Sequence, residues 1–237
     1  MSQWKYVGFT VASGAVNMQT DQMFFSECEK GTHAPVLRFY SWEPWCISLG
    51  RNQPVSVVNH EASRALGIDV VHRITGGGAV LHGDDISYLV AGSRREPPFD
   101  CSLEESYFHL HSWLINGFRD LGIKAEIGAC SNSQPDICFS DITAYEIHVK
   151  GRKIVGSSQR RGKKAVLQHG SIQLKAHSYF ASRIFNLPDC SSCDEFAEYL
   201  NSSSAGIYEF LPNGLAKIDI LKALKRNFET YFSIKLY

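Results

Sequence analysis

Leu103, Tyr107, Leu110, Leu114, Phe118 and Leu121 recur at three- and four-residue steps, with polar side chains between them. That spacing lays one apolar stripe along a helix. Ser102 and Glu105 form a capping box ahead of it, so the pattern predicts a helix over residues 103–121. Shorter apolar runs predict strands at 4–10, 35–42, 45–49, 69–74 and 86–92, with helices at 17–29 and 56–66 between them. Residues 145–149 alternate like a strand, Lys150-Gly151 reads as its hairpin turn, and 153–161 and 165–174 continue the sheet. Helices follow at about 178–186, 194–201 and 217–231, whereas 128–139 has almost no periodicity and reads as a loop. Strands joined by short turns, with helices between the groups, predict an α+β protein whose mixed or antiparallel sheet is flanked by helices.

Composition narrows the class. At 237 residues, 44% of them hydrophobic, the chain suits one large domain over 1–237. Residues 201–206 are the most linker-like stretch, and too little follows them for another domain. Lys plus Arg and Asp plus Glu number 24 each, so the basic excess of a nucleic-acid binder is missing. No apolar run nears the roughly 20 residues of a membrane span. The start, Met1-Ser2-Gln3-Trp4-Lys5-Tyr6, lacks the apolar stretch of a signal peptide, which points to the cytoplasm. Cysteines at 28, 46, 101, 130, 138, 190 and 193 are odd in number and irregular in spacing, unlike a disulfide framework. Cys190 and Cys193 have the spacing of half a zinc site, but no second pair exists and His177 is the only histidine close in sequence. A small buried pair near a helix start is the expectation, with no metal site.

Two glycine-punctuated stretches carry the candidate chemistry. The first is His72-Arg73-Ile74-Thr75-Gly76-Gly77-Gly78-Ala79-Val80-Leu81-His82. Three consecutive glycines let the backbone approach a ligand closely and turn N–H groups toward it, although a bulge or tight hairpin needs them too. Arg73 and His82 bracket that loop with groups able to hold a carbonyl or phosphate. The triplet does not have the GxGxxG form that opens a dinucleotide-binding helix. The second stretch runs from Gly151-Arg152-Lys153 through Gly156-Ser157-Ser158 to Gln168-His169-Gly170. Lys153 precedes a run apolar and small enough to be buried, and burial makes a lysine useful near neutral pH. Arg152, Arg160, Arg161, Lys163 and Lys164 either solvate the hairpin or meet an acidic or phosphate-bearing partner. Cys138 lies in the irregular loop just upstream, where a thiol near an ammonium would react as thiolate.

These stretches resemble the lipoate-protein ligase A/octanoyltransferase family of the biotin/lipoate ligase superfamily. Asn17-Met18 through Asp21, the block from Leu37 to Pro44 with Ser48-Leu49-Gly50, and the two glycine-containing signatures carry the resemblance over about residues 15–175. His72 departs from the arginine common there, which leaves Arg73 as the safer assignment. The resemblance implies the biotin/lipoate ligase catalytic fold and attachment of an octanoyl or lipoyl group to a lysine of a lipoyl-domain protein. The acceptor would be glycine cleavage H protein or a 2-oxoacid dehydrogenase E2. One octanoyltransferase class places its cysteine just before the His-Gly of the last motif, where this chain has Ala165-Val166-Leu167-Gln168. A second class places it in the loop before the lysine strand, which Cys138-Phe139, Tyr145-Glu146 and Gly151-Arg152-Lys153 match. That class implies acyl carrier protein as donor, no cofactor, and Cys138 and Lys153 as catalytic residues. Arg73, Gly76, Gly77, Gly78, His82, Gly156, Ser157, His169 and Gly170 would bind substrate. The alternative is an ATP- and Mg-dependent lipoate ligase acting through lipoyl-AMP with the same lysine.

Overall fold

The structure, a computed structural model, describes residues 3–128, 146–186, 192–211 and 215–237. Its strands are β1 (Gln3–Ala12), β2 (Val36–Trp42), β3 (Cys46–Leu49), β4 (Asp69–His72), β5 (Val80–His82), β6 (Asp85–Ser93), β7 (Glu126–Gly128), β8 (Glu146–Val149), β9 (Arg152–Arg161), β10 (Ala165–Gln173) and β11 (Lys235–Leu236). The helices are α1 (Gly14–Lys30), α2 (His60–Ala65), α3 (Leu103–Asp120), α4 (Ser178–Ile184), α5 (Cys193–Ser203) and α6 (Lys217–Phe232). Eight strands form a mixed sheet in the order β11-β1-β2-β6-β10-β9-β8-β7, and β4-β3-β5 form a smaller one. The pairs made by β1 are parallel; the rest of the large sheet is antiparallel.

Strand alternation sorts the side chains between two faces. Leu37 and Phe39 of β2, with Tyr88, Val90, Val166 and Ile172, meet Trp113, Leu114 and Phe118 of α3 and Leu224 and Phe228 of α6. Val36, Tyr40 and Trp42, with Leu89, Ala91 and Leu167, face the other way, toward Met18, Phe24 and Phe25 of α1. The small sheet and helices α4 and α5 share a third cluster around Ile47, Leu49, Phe185, Phe196 and Leu200.

The capping box ahead of α3 forms as the sequence predicts: Glu105 N–H donates to Ser102 Oγ at 3.1 Å, and Ser102 N–H to Glu105 Oε2 at 3.0 Å. Lys150 (φ 50°) and Gly151 (φ 75°) are both left-handed, as a two-residue hairpin between β8 and β9 requires. Residues 56–66 are not one helix. A single 3₁₀ turn, Val55–Val57, precedes α2, whose start is fixed by Ala62 N–H donating to Asn59 Oδ1 at 3.1 Å. The glycine triplet is neither bulge nor hairpin. It joins β4 to β5, which pair with opposite edges of β3 and not with each other. Cys193 is exposed rather than part of a buried pair, and Cys190 lies outside the described residues. Among the described residues no group of His, Cys, Asp and Glu could hold a metal ion, and no helix is long and apolar enough to cross a membrane.

Candidate active site

The register builds a polar patch on the α1 face of the large sheet. Tyr40 pairs with Ser87, Ser87 with Ser171, Ser171 with Gly156, and His169 with Ser158. Paired residues share a face, so these side chains converge. A cavity of about 360 Å³ opens over them, bounded also by Met18, Trp42, Ser48, Arg73, Val80 and His82. Ser157 and Gly170 complete its rim. Gly170 admits no side chain, because a Cβ there would lie 2.6 Å from Tyr88 Cε1 and 2.7 Å from Gly156 O. Ser157 Oγ lies 2.8 Å from Tyr88 Oη and 3.0 Å from His111 Nε2, which anchors the rim to α3. Burial pushes the Tyr88 phenol up to about 12, so this hydroxyl stays protonated.

Two hydroxyl–imidazole–carboxylate chains wall the cavity. In the first, His82 Nδ1 lies 2.9 Å from Asp85 Oδ2 and Nε2 lies 2.8 Å from Ser48 Oγ. Burial pushes the Asp85 carboxyl up, but His82 and hydrogen bonds from Ser171 and Ser87 outweigh it and hold the carboxyl below its usual range. His82 Nδ1–H donates to the ionised Asp85 carboxylate, and in the neutral imidazole Nε2 then accepts from the Ser48 hydroxyl. Ser48 Oγ accepts in turn from Arg73 Nη1 at 3.3 Å, and Trp42 stacks on the imidazole with centroids 4.1 Å apart. In the second chain, His169 Nδ1 lies 2.8 Å from Asp21 Oδ2 and Nε2 lies 2.7 Å from Thr75 Oγ1. Asp21 is also held by Arg38 at 2.8 Å and Tyr40 at 3.0 Å.

Arg73 organises the glycine loop. Its guanidinium donates to the carbonyl oxygens of Gly76 and Gly78, each at 2.7 Å, and of Ser48 at 2.8 Å. Gly77 is left-handed at φ 90°. Its carbonyl packs so tightly on Gly50 that a Cβ there would lie 2.0 Å from the oxygen. Gly76 faces an outer groove shared with Arg51, Thr75 and Arg160 rather than the cavity. The flanking cations are largely spent on the chain itself. Arg160 donates to Ile74 O, Arg161 to Phe99 O and Cys101 O, and Arg152 pairs with Glu209.

Lys153 reaches the same face through a β-bulge. Ile147 pairs with Val155, but the next residue, His148, pairs with Lys153. Ile154 is therefore the extra residue on β9, and Ile154 and Val155 both point into the α3 core. Strict alternation would send Lys153 there too. The bulge turns it instead to the face of Glu146 and Gly156, a common use of bulges beside functional sites. Lys153 is 1% exposed and forms an ion pair with Glu146 at the start of β8. The carboxylate is the counter-charge that a buried ammonium requires. Lys153 does not line the cavity itself. It lies three residues along β9 from Gly156, about 10 Å at the usual rise per residue.

Of the residues singled out in the sequence, Arg73, His82, Gly156, Ser157, His169 and Gly170 border one cavity. Gly76, Gly77 and Gly78 form the adjoining loop, Lys153 lies further along β9, and Cys138 lies outside the described residues. Sequence reasoning missed Asp85, Ser48 and Glu146 as site residues. Asp85 follows His82 by three positions, and Ser48 and Glu146 stand inside the quoted blocks, so each had a positional signal but no chemical one. Asp21 and Arg38 were noted only for their resemblance.

A cavity that sets Met18, Val80 and the ring of Trp42 beside oriented imidazoles and hydroxyls, with an ion-paired lysine beyond it, suits a molecule with an apolar body and a polar reacting end. The chain belongs to the family of the lipoyl protein ligase A/B catalytic domain, whose model matches residues 13–229. It is 32% identical to octanoyltransferase LipM of Carboxydothermus hydrogenoformans over 99% of this chain and 88% of that protein. Identity to octanoyltransferase LipM of Bacillus subtilis is 30%, over 98% and 87%. Among solved structures, the bipartite lipoate protein ligase of Thermoplasma acidophilum superposes with a TM-score of 0.79 at 20% identity, over 99% of this chain and 86% of that one. A lipoate-protein ligase A bound with ATP gives 0.75 at 20% identity, over 100% and 87%. These structural likenesses establish the shared fold.

Proposed function

We propose that this chain is an octanoyltransferase that moves an octanoyl group from acyl carrier protein to a lysine of a lipoyl-domain protein, in the cytoplasm and as a single catalytic domain. The near-full-length similarity to octanoyltransferases carries this reading. The lipoate ligases among the solved structures are 20% identical to the chain, a likeness that supports the shared fold and not the ligase reaction. In the first half-reaction, Cys138 thiolate attacks the thioester carbonyl. A new S–C bond forms, the bond to the carrier sulfur breaks, and the carrier leaves as a thiolate that takes a proton. In the second, the acceptor amine attacks the acyl-enzyme and the cysteine is released. Splitting the exchange keeps two bulky carriers from having to meet.

The remaining roles follow from position. The cavity is where the octanoyl chain would lie, and each methylene buried there contributes about 0.8 kcal/mol. The acceptor lysine, with a free pKa of about 10.4, must lose a proton before it attacks. Lys153 is the candidate base, and it is also the candidate for stabilising the oxyanion. Its pairing with Glu146 favours the second role, because a cation that keeps its own carboxylate is a poor proton acceptor. Cys28, Cys46 and Cys101 make poor nucleophiles, since burial and nearby carboxylates push all three thiols up. Intact-mass analysis after incubation with octanoyl–acyl carrier protein tests the scheme. One octanoyl mass should add at Cys138 and be removed by hydroxylamine; an adduct on another cysteine removes Cys138 from the mechanism.

A further inference from the structure

A second cavity, of about 540 Å³, lies on the same face of the large sheet. Strand β5 is the wall between the two. Val80 and His82 face the acyl cavity, and Ala79 and Leu81 face this one. Asp85 and Gln173, which pair across β6 and β10, lie at its base. Ser204 lies there too and forms an isolated parallel bridge with Lys153, whose carbonyl accepts from Ala205 N–H at 2.9 Å. The inner end of the cavity therefore abuts the strand that bears Lys153.

Its walls are apolar where Trp45, Leu81, Phe185 and Leu200 contribute. Two of the polar atoms in its lining, Gln173 Oε1 and Ser178 Oγ, are buried with no hydrogen-bond partner among the described residues. Buried groups of this kind are costly to leave unmet, so each marks a place where a ligand atom can bond. At the mouth, His177 Nε2 lies 2.8 Å from Asp84 Oδ2, and Lys175 Nζ lies 4.0 Å from the same oxygen.

The occupant must be long, part apolar and part polar, with a donor for Gln173 and a polar group for Ser178. A bare acyl chain satisfies neither. The pantetheine arm of a thioester donor satisfies both: it has an apolar dimethyl body, a hydroxyl, two amides, and sulfur at its tip. We propose that this second cavity receives that arm, so that arm and acyl chain lie on opposite sides of β5 and the thioester joining them lies beside Lys153. The proposal rests on the transferase reading. Coenzyme A and acyl carrier protein present the same arm, so both donors enter the test.

Gln173→Leu is the informative variant, because it replaces an unmet polar group with an apolar one of similar size and should fold. Pantetheine binding is measured by calorimetry, and KM by transfer from octanoyl–acyl carrier protein, octanoyl-coenzyme A and thiophenyl octanoate, which has no arm. Wild type should bind pantetheine. Gln173→Leu should weaken that binding and raise KM for arm-bearing donors about tenfold, with thiophenyl octanoate unaffected; Ser178→Ala should act the same way more weakly. A penalty confined to the carrier-protein donor identifies it as the source recognised. Wild type that binds no pantetheine, unchanged constants in Gln173→Leu, or an equal loss with the armless donor would each overturn the assignment. Wild type that binds pantetheine yet transfers from no thioester would refute the transferase reading and leave the site standing.

Discussion

Replacing Lys153 with alanine should cost both activity and stability, and the two losses can be separated. The Lys153 and Glu146 side chains are 2% and 7% exposed, so the pair is shielded from water. Deleting one member of such a pair strands the other charge in a poorly solvating site, at a cost of about 3–5 kcal/mol. For a protein of this size each kcal/mol moves the melting temperature by about 2–4 °C, so Lys153→Ala should melt about 6–20 °C below wild type. Lys153→Met combined with Glu146→Gln removes both charges and preserves the volume. It should recover most of the melting temperature while acyl transfer stays absent. Circular-dichroism melts run beside a transfer assay measure both quantities. A single variant that melts with wild type, or a double variant no more stable than Lys153→Ala, would refute the buried-pair reasoning.

Three further outcomes follow from the site. Gly170→Ala should destabilise by about 1–3 kcal/mol and lower acyl transfer, because its methyl would meet Tyr88, Gly156 and Ser157 at under 3 Å; a wild-type melt and full turnover would contradict the packing. The Asp85 carboxyl titrates below its usual range, so its stabilising contribution is complete above the unfolded value of about 3.9 and is lost as pH falls through the lower folded value. Stability measured by denaturant titration should therefore fall below about pH 4, and Asp85→Asn should flatten that fall; an identical acid profile in the variant would count against it. At pH 8, a thiol reagent should label exposed Cys193 and spare Cys28, which is pushed up to about 11, and Cys46, which burial raises still further. Peptide mapping that finds Cys46 labelled in the folded protein would contradict its burial.

Helix α3 and the hairpin at Lys150-Gly151 were legible because local signals suffice for them: a capping box with a periodic stripe, and a glycine between two strand-like runs, suited to positive φ. Strands β5, β7 and β11 were not, since two or three residues carry no period and form only because a neighbour supplies their hydrogen bonds. The break before α2 turned on one cap, Asn59, inside a run that otherwise reads as helical. In the site, the burial of Lys153 could be read from the small apolar residues after it. Its counter-ion could not, because the bulge that turns it toward Glu146 is set by the register of β8 against β9. His169 and Asp21 are 148 positions apart, and only the packing of α1 on the sheet brings them to 2.8 Å.

The most direct test of octanoyl transfer sets two donors against one lipoyl-domain acceptor. One mixture holds octanoyl–acyl carrier protein without nucleotide; the other holds free lipoate with ATP and Mg²⁺. The transferase reading predicts acylation of the acceptor lysine in the first mixture and its loss in Cys138→Ala. Acylation only in the second mixture, unchanged by Cys138→Ala, would contradict it and make the chain a lipoate–protein ligase.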